Sequence, residues 1–157
     1  MEQAQTAGMT TDMAGLRALP IGTHLGYTGW RELTQEEVNA FADVTGDHQW
    51  IHVDVERAKA SPFGGTIAHG YLTLSMLGSV TQDLLEITDA TAGLNYGLDR
   101  VRFPAPLRVG ARWRGGAELA ELSEIPGGVQ VKFKATVEVE GGDKPVCVAE
   151  CLARILG

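Results

Sequence analysis

Cysteine is almost missing from this chain, with two in 157 residues. That excludes a disulfide-stapled scaffold. The pair, Cys147 and Cys151, cannot bridge each other, because four residues along one strand hold them roughly 13 Å apart. Two unbridged thiols read as a cytoplasmic protein. Positive charge is also short: 13 Lys and Arg stand against 20 Asp and Glu, for a net charge of −7. A nucleic-acid binder needs a basic face to neutralise phosphates, so that class is excluded. No apolar run is long enough to span a membrane: the longest, Thr66–Val80, is 15 residues and contains His69 and two glycines. Residues 1–18 have neither a basic start nor a continuous apolar stretch, so they are no secretory signal and read as a loose tail. There is no internal repeat and no low-complexity block.

What is present is a globular composition, 44% hydrophobic with 20 glycines. The length predicts one domain over 19–157, enough to bury about two-thirds of its unfolded surface. Tyr27–Leu33 reads as a short strand. Thr34 and Glu37 then have the spacing of a capping box, and Val38, Phe41, Ala42 and Thr45 follow at helical intervals up to Gly46. Asp54 opens a second short helix, stopped by Ser61 and Pro62. From about His69 to Glu86 apolar residues run nearly all round, which places that helix in the middle of the domain. Beyond residue 92 the pattern changes to strands, and Val129–Glu140 alternates apolar and polar over twelve residues. Leu94–Phe103, Ala111–Leu122, Val129–Glu140 and Pro145–Ile155 read as long antiparallel strands, the last two joined by a hairpin turn at Gly141–Asp143. The pattern is α+β: a long antiparallel sheet wrapped round a central helix. Its exposed edges invite a second copy of the chain.

Reactive residues gather in 45–54, with a second group at Ala68, His69 and Gly70. Asp47 and His52 follow a helix end in a segment hemmed by Trp50 and Ile51. A carboxylate and an imidazole under apolar cover can hold one water and exchange protons with it; the same two residues also fit a turn cap and a packing side chain. Gly70, in the first turn of a buried helix, can offer backbone N–H groups to an oxygen, or can serve close packing alone. His48 and His52 beside Asp47 and Asp54 raise the question of a metal, but the segment is not a periodic helix and there is no H-E-x-x-H, so we read no metal site. Ser75 has no G-x-S-x-G around it and reads as a hydrogen-bonding residue rather than a nucleophile. Arg100, Arg102, Arg108, Arg112 and Arg114 flank the Pro104–Pro106 turn, either as a phosphate contact or as solvated strand ends.

The segment from Phe41 to Ala58, with its T-G-D and I-H elements, and the downstream A-H-G-Y-L-T-L-S of 68–75 resemble the MaoC-like dehydratases. These include the (R)-specific enoyl-CoA hydratases and the proteins similar to nodulation protein N. The likeness runs over about 20–156. It implies a hot-dog fold and a homodimer, with Asp47 and His52 as the catalytic pair and Gly70 as donor to a thioester carbonyl. His69, Ser75, Gln49 and Trp50 would line the substrate site. The implied reaction is reversible hydration of a trans-2-enoyl thioester to the (R)-3-hydroxyacyl product, without metal or other cofactor, CoA arriving as part of the substrate. One departure is visible: Gln49 and Trp50 stand where the hydratase signature has Asn-Pro, with the Asp-to-His spacing kept. On the same fold, a carrier-protein dehydratase, a thioesterase or a non-catalytic acyl-thioester binder are the alternatives.

Overall fold

The structure is a computed structural model and describes residues 8–157. Its centre is helix α5 (Gly70–Leu84), laid against an antiparallel sheet. The sheet runs in the order β2 (His24–Tyr27), β6 (Arg112–Ile125), β7 (Gly128–Val139), β8 (Cys147–Leu156), β5 (Ala92–Arg102), with β3 (Arg31–Glu32) also paired to β6. This is the sheet round a central helix expected from the residue pattern, and the hot-dog arrangement that the resemblance implies. In β7, Val129, Val131, Phe133, Ala135 and Val137 are buried while Lys134 between them is exposed. Each valine taken out of water contributes about 1.5–3 kcal/mol, which fixes the face of the strand and hence its register. α5 answers with Thr73, Leu77, Val80 and Leu84. Gly115 of β6 lets the helix come close: a Cβ there would lie 2.1 Å from Val80 Cγ2.

The remaining helices position the site. Helix α2 (Gln35–Thr45) begins with the full capping box, Thr34 and Glu37 each accepting from the other's backbone N–H, and ends at Gly46 in the left-handed region (φ 80°). Residues 50–53 form one further turn, α3 (Trp50–Val53), where the sequence pattern indicated only a loop. Four residues are too few to show a period. Asp54 then caps α4 (Val55–Lys59) through a 3.1 Å bond from Arg57 N–H.

Two expectations need correction. The strand expected over Tyr27–Leu33 is two pieces, because Thr28 leaves the regular ladder: its N–H donates to Gly115 C=O and its hydroxyl accepts from Gly115 N–H. The loose tail expected through residue 18 does not hold for residues 8–18. Met9–Thr11 forms β1, parallel to β4 (Leu85–Ile87), and Met13–Ala18 forms α1, capped by Asp12. Met13 and Leu16 join the core, and Arg17 pairs with Glu124 at 2.7 Å. Residues 1–7 lie outside the described residues. Among the described residues, no helix is long and apolar enough to cross a membrane. Cys147 and Cys151 are both unbridged on β8, and burial pushes each thiol up to about 11.

Candidate active site

Gly46 reverses the chain after α2 and places Asp47 at the head of a tight turn in which its carboxylate accepts from Gln49 N–H at 3.3 Å. The single turn of α3 then points His52 inward, 5% exposed. A second segment meets it there. Thr66, Ile67 and Ala68 are laced between α3 and the stretch 107–109 by the backbone bonds Ile67 N–H to Ile51 C=O, Ala68 N–H to Leu107 C=O and Val109 N–H to Thr66 C=O. This lacing presents the Ile67 carbonyl to His52 Nδ1 at 2.7 Å. A carbonyl can only accept, so Nδ1 carries the proton and Nε2 is left with its lone pair. Burial holds the imidazole below its ordinary pKa and His69 pushes it further down, while the Ile67 bond and Asp47 oppose them. The result is a neutral imidazole, ready to take a proton.

His69, which precedes α5, is 2% exposed. Its ring stacks on that of His52, centroids 3.8 Å apart and planes 22° from parallel, and touches Phe41 at 4.9 Å. Its Nε2 lies 2.9 Å from the Asp47 carbonyl and donates to it. One side-chain donor atom from each of Asp47, His52 and His69 lies within 4.8 Å of the others. Two imidazoles ligate one ion when their lone pairs aim at a common centre about 2.0–2.1 Å away. Rings stacked nearly parallel send their lone pairs along neighbouring planes, so this geometry suits proton transfer better than ligation.

At the start of α5, the N–H groups of Leu72 and Thr73 return to His69 C=O, at 3.0 and 3.2 Å. Those of Gly70 and Tyr71 have no helical carbonyl to reach and lie at the positive end of the helix dipole. A side chain on Gly70 would put its Cβ 3.1–3.2 Å from the Phe103 ring. The glycine lets the Phe103 ring approach closely, and a larger residue would have to displace it by a few tenths of an ångström.

The residues singled out in the sequence divide into groups. Asp47, His52 and His69 come together, with Gly70 next in the chain. The apolar cover expected over both members of the pair reaches His52 only, since Asp47 is exposed. Gln49 joins through its backbone. Trp50 faces Arg57, whose guanidinium sits 4.2 Å from the ring centre. Ser75 lies in a separate groove of about 310 Å³ between α5 and β5, with its hydroxyl donating to Tyr71 C=O. The arginines are dispersed: Arg112 pairs with Glu140, Arg114 with Glu138, and Arg108 donates to Gly64 C=O, while Arg100 and Arg102 line a groove on the sheet shared with Lys134, Glu118 and Glu150. Two features had no signal in the sequence. Gln35 donates to His52 C=O at 2.8 Å and accepts from Thr66 Oγ1 at 2.5 Å, tying α2, α3 and the segment 66–68 together. The Ile67 carbonyl that sets the His52 tautomer is backbone, which no residue type announces.

Comparison with known proteins identifies the family. Residues 17–142 match the family described as MaoC like domain. A 3-hydroxyacyl-thioester dehydratase Z of Mycobacterium tuberculosis is 50% identical over 138 residues, covering 87% of this chain and 91% of the relative. Nodulation protein N of Rhizobium leguminosarum bv. viciae is 45% identical, covering 86% of each. Among solved structures, an unliganded R-hydratase from Pseudomonas aeruginosa superposes with a TM-score of 0.72 at 22% identity, over 88% of this chain and 83% of that one, a likeness of fold.

Proposed function

The chain belongs to the MaoC-like dehydratase family, and on that premise we propose that it catalyses the reversible hydration of trans-2-enoyl-CoA to (R)-3-hydroxyacyl-CoA. The observation that carries the reading is the fixed tautomer of His52: a buried, neutral imidazole with a free Nε2 beside the Asp47 carboxylate. The thioester carbonyl accepts hydrogen bonds at the N-terminus of α5, from Gly70 N–H first, which draws electrons away from the β-carbon. Asp47 orients a water through one hydrogen while His52 Nε2 takes the other as the oxygen attacks that carbon. The double-bond electrons move to the carbonyl oxygen as an enolate. Return of the proton from His52 to the α-carbon completes the addition of H and OH, and the reverse sequence is dehydration. The M. tuberculosis relative is named for that direction. Ser75, Gln49 and Trp50 are proposed to line the path of the acyl chain and pantetheine arm.

The reaction moves no net electrons, and the carbonyl is its own electron sink, so CoA enters only as part of the substrate. Strand β5 is an open edge carrying exposed Leu94, Tyr96 and Leu98, and the proposed assembly is a homodimer joined there. The unbridged thiols fit a reducing compartment, and we assign the enzyme to the cytoplasm. The test follows the ultraviolet absorbance of the conjugated thioester in crotonyl-CoA. Wild type removes it, and the Asp47→Asn, His52→Gln double variant does not. Full activity in the double variant contradicts the site. Release of free CoA instead identifies a thioesterase, and binding without turnover identifies a non-catalytic acyl-thioester binder.

A further inference from the structure

Among the described residues, Trp30 and His69 each bury a side-chain nitrogen without a hydrogen-bond partner, and His69 is the one that lies in the site. The ring is fully enclosed, yet once Nε2 donates to the Asp47 carbonyl, Nδ1 is left as a buried lone pair with no partner. A buried acceptor without a donor destabilises the fold, and a phenylalanine or leucine would fill the space without that cost. The imidazole must therefore supply something that packing alone does not. Three contacts meet on it: its N–H holds the Asp47 backbone, its face lies on His52, and its own carbonyl accepts the first α5 hydrogen bonds.

We propose that His69 is the positioning residue that sets Asp47, His52 and the N-terminus of α5 in one fixed geometry. The N–H bond fixes the peptide from which the Asp47 side chain projects. The stacked ring fixes the plane of His52, and with it the direction of the Nε2 lone pair. Because His69 immediately precedes Gly70, the same residue ties the water-handling pair to the amides that face the carbonyl. Asp47 and His52 lie in one segment and Gly70 in another, and His69 joins the two through a side-chain hydrogen bond and a ring contact. The inference rests on the hydratase reading of the site and extends it.

His69→Phe keeps a ring over His52 and loses the donor; His69→Gln keeps a donor and loses the ring. Misplacement of reacting groups by a fraction of an ångström lowers turnover more than binding. With crotonyl-CoA, kcat falls roughly 10- to 100-fold in each variant while KM stays near the wild-type value. The pH profile also moves. His52 must be neutral to act as base, and the groups facing it are His69, which lowers its pKa, and Asp47 and the Ile67 carbonyl, which raise it. Burial, the largest lowering influence, stays in place, but removing His69 takes away the other one, so the acid limb of kcat/KM moves to higher pH. Titration of the His52 imidazole by NMR reads the same displacement in protein without substrate, and so tests His69 even where wild type hydrates nothing. A variant that folds with unchanged kcat, unchanged acid limb and unchanged His52 titration overturns the proposal. Loss confined to thermal stability assigns His69 to packing and overturns it equally.

Discussion

At the scale of single residues, function depends on backbone carbonyls as much as on side chains. His52 is poised because Ile67 offers an acceptor to one nitrogen, and that acceptor is in place because residues 66–68 are bonded to α3 and to 107–109. The depressed pKa of His52 has a consequence for stability. The unfolded chain, with its histidine near the ordinary 6.5, binds more protons than the folded one just below that pH. His52 therefore contributes a loss of stability as pH falls through about 6.5. Urea titrations of wild type and His52→Gln at pH 7.5 and 5.5 check this: the wild type loses more stability between the two than the variant does. Gly70 gives a second residue-scale prediction. Gly70→Ala brings a Cβ to 3.1–3.2 Å of the exposed Phe103 ring, which gives way by a few tenths of an ångström, so it costs at most about 1 kcal/mol, with a fall in kcat/KM as the start of α5 shifts. Phe103→Leu in the same chain gives the methyl group room and restores part of both losses.

At the scale of elements, β7 was legible because its alternation runs unbroken, β8 because it returns from the turn at Gly141–Asp143, and α2 because its capping box marks the first turn. α1 was not legible. It is six residues long, and its anchors are distant: Met13 N–H donates to Asp89 and Arg17 pairs with Glu124. The same limit applied to the site. Asp47, His52, His69 and Gly70 stood out as residue types, whereas Gln35 and the Ile67 carbonyl act through partners 15 or more residues away. The contact between α5 and β6 is a test of element packing. Gly115→Ala places a methyl group within 2.1 Å of Val80 and destabilises by about 1–3 kcal/mol in chemical denaturation. Val80→Ala added to it yields a double variant more stable than Gly115→Ala alone, the sign of coupling that a direct clash requires.

At the scale of the whole molecule, the sheet ends in an eleven-residue edge strand whose apolar side chains face water, and beside it runs the groove between α5 and β5. Natural sheets rarely leave such an edge open. The proposed dimer closes it, and light scattering is expected to give about twice 16.8 kDa. Leu98→Arg puts a charge on the apolar edge that the proposed dimer covers and returns the mass to that of one chain. A wild-type mass of one chain contradicts the assembly. The acidic net charge, the unbridged thiols and the hot-dog frame are compatible with many activities; the pairing of Asp47 with a tautomer-fixed His52 is what supports the proposed proton transfer. The most direct measurement is therefore crotonyl-CoA hydration, followed by ultraviolet absorbance, in wild type and Asp47→Asn. The account predicts loss of the conjugated absorbance with wild type and at least a hundredfold slower loss with the variant, in the range of about 10²–10⁴ for removal of an acid–base group. Equal rates in the two proteins would contradict it.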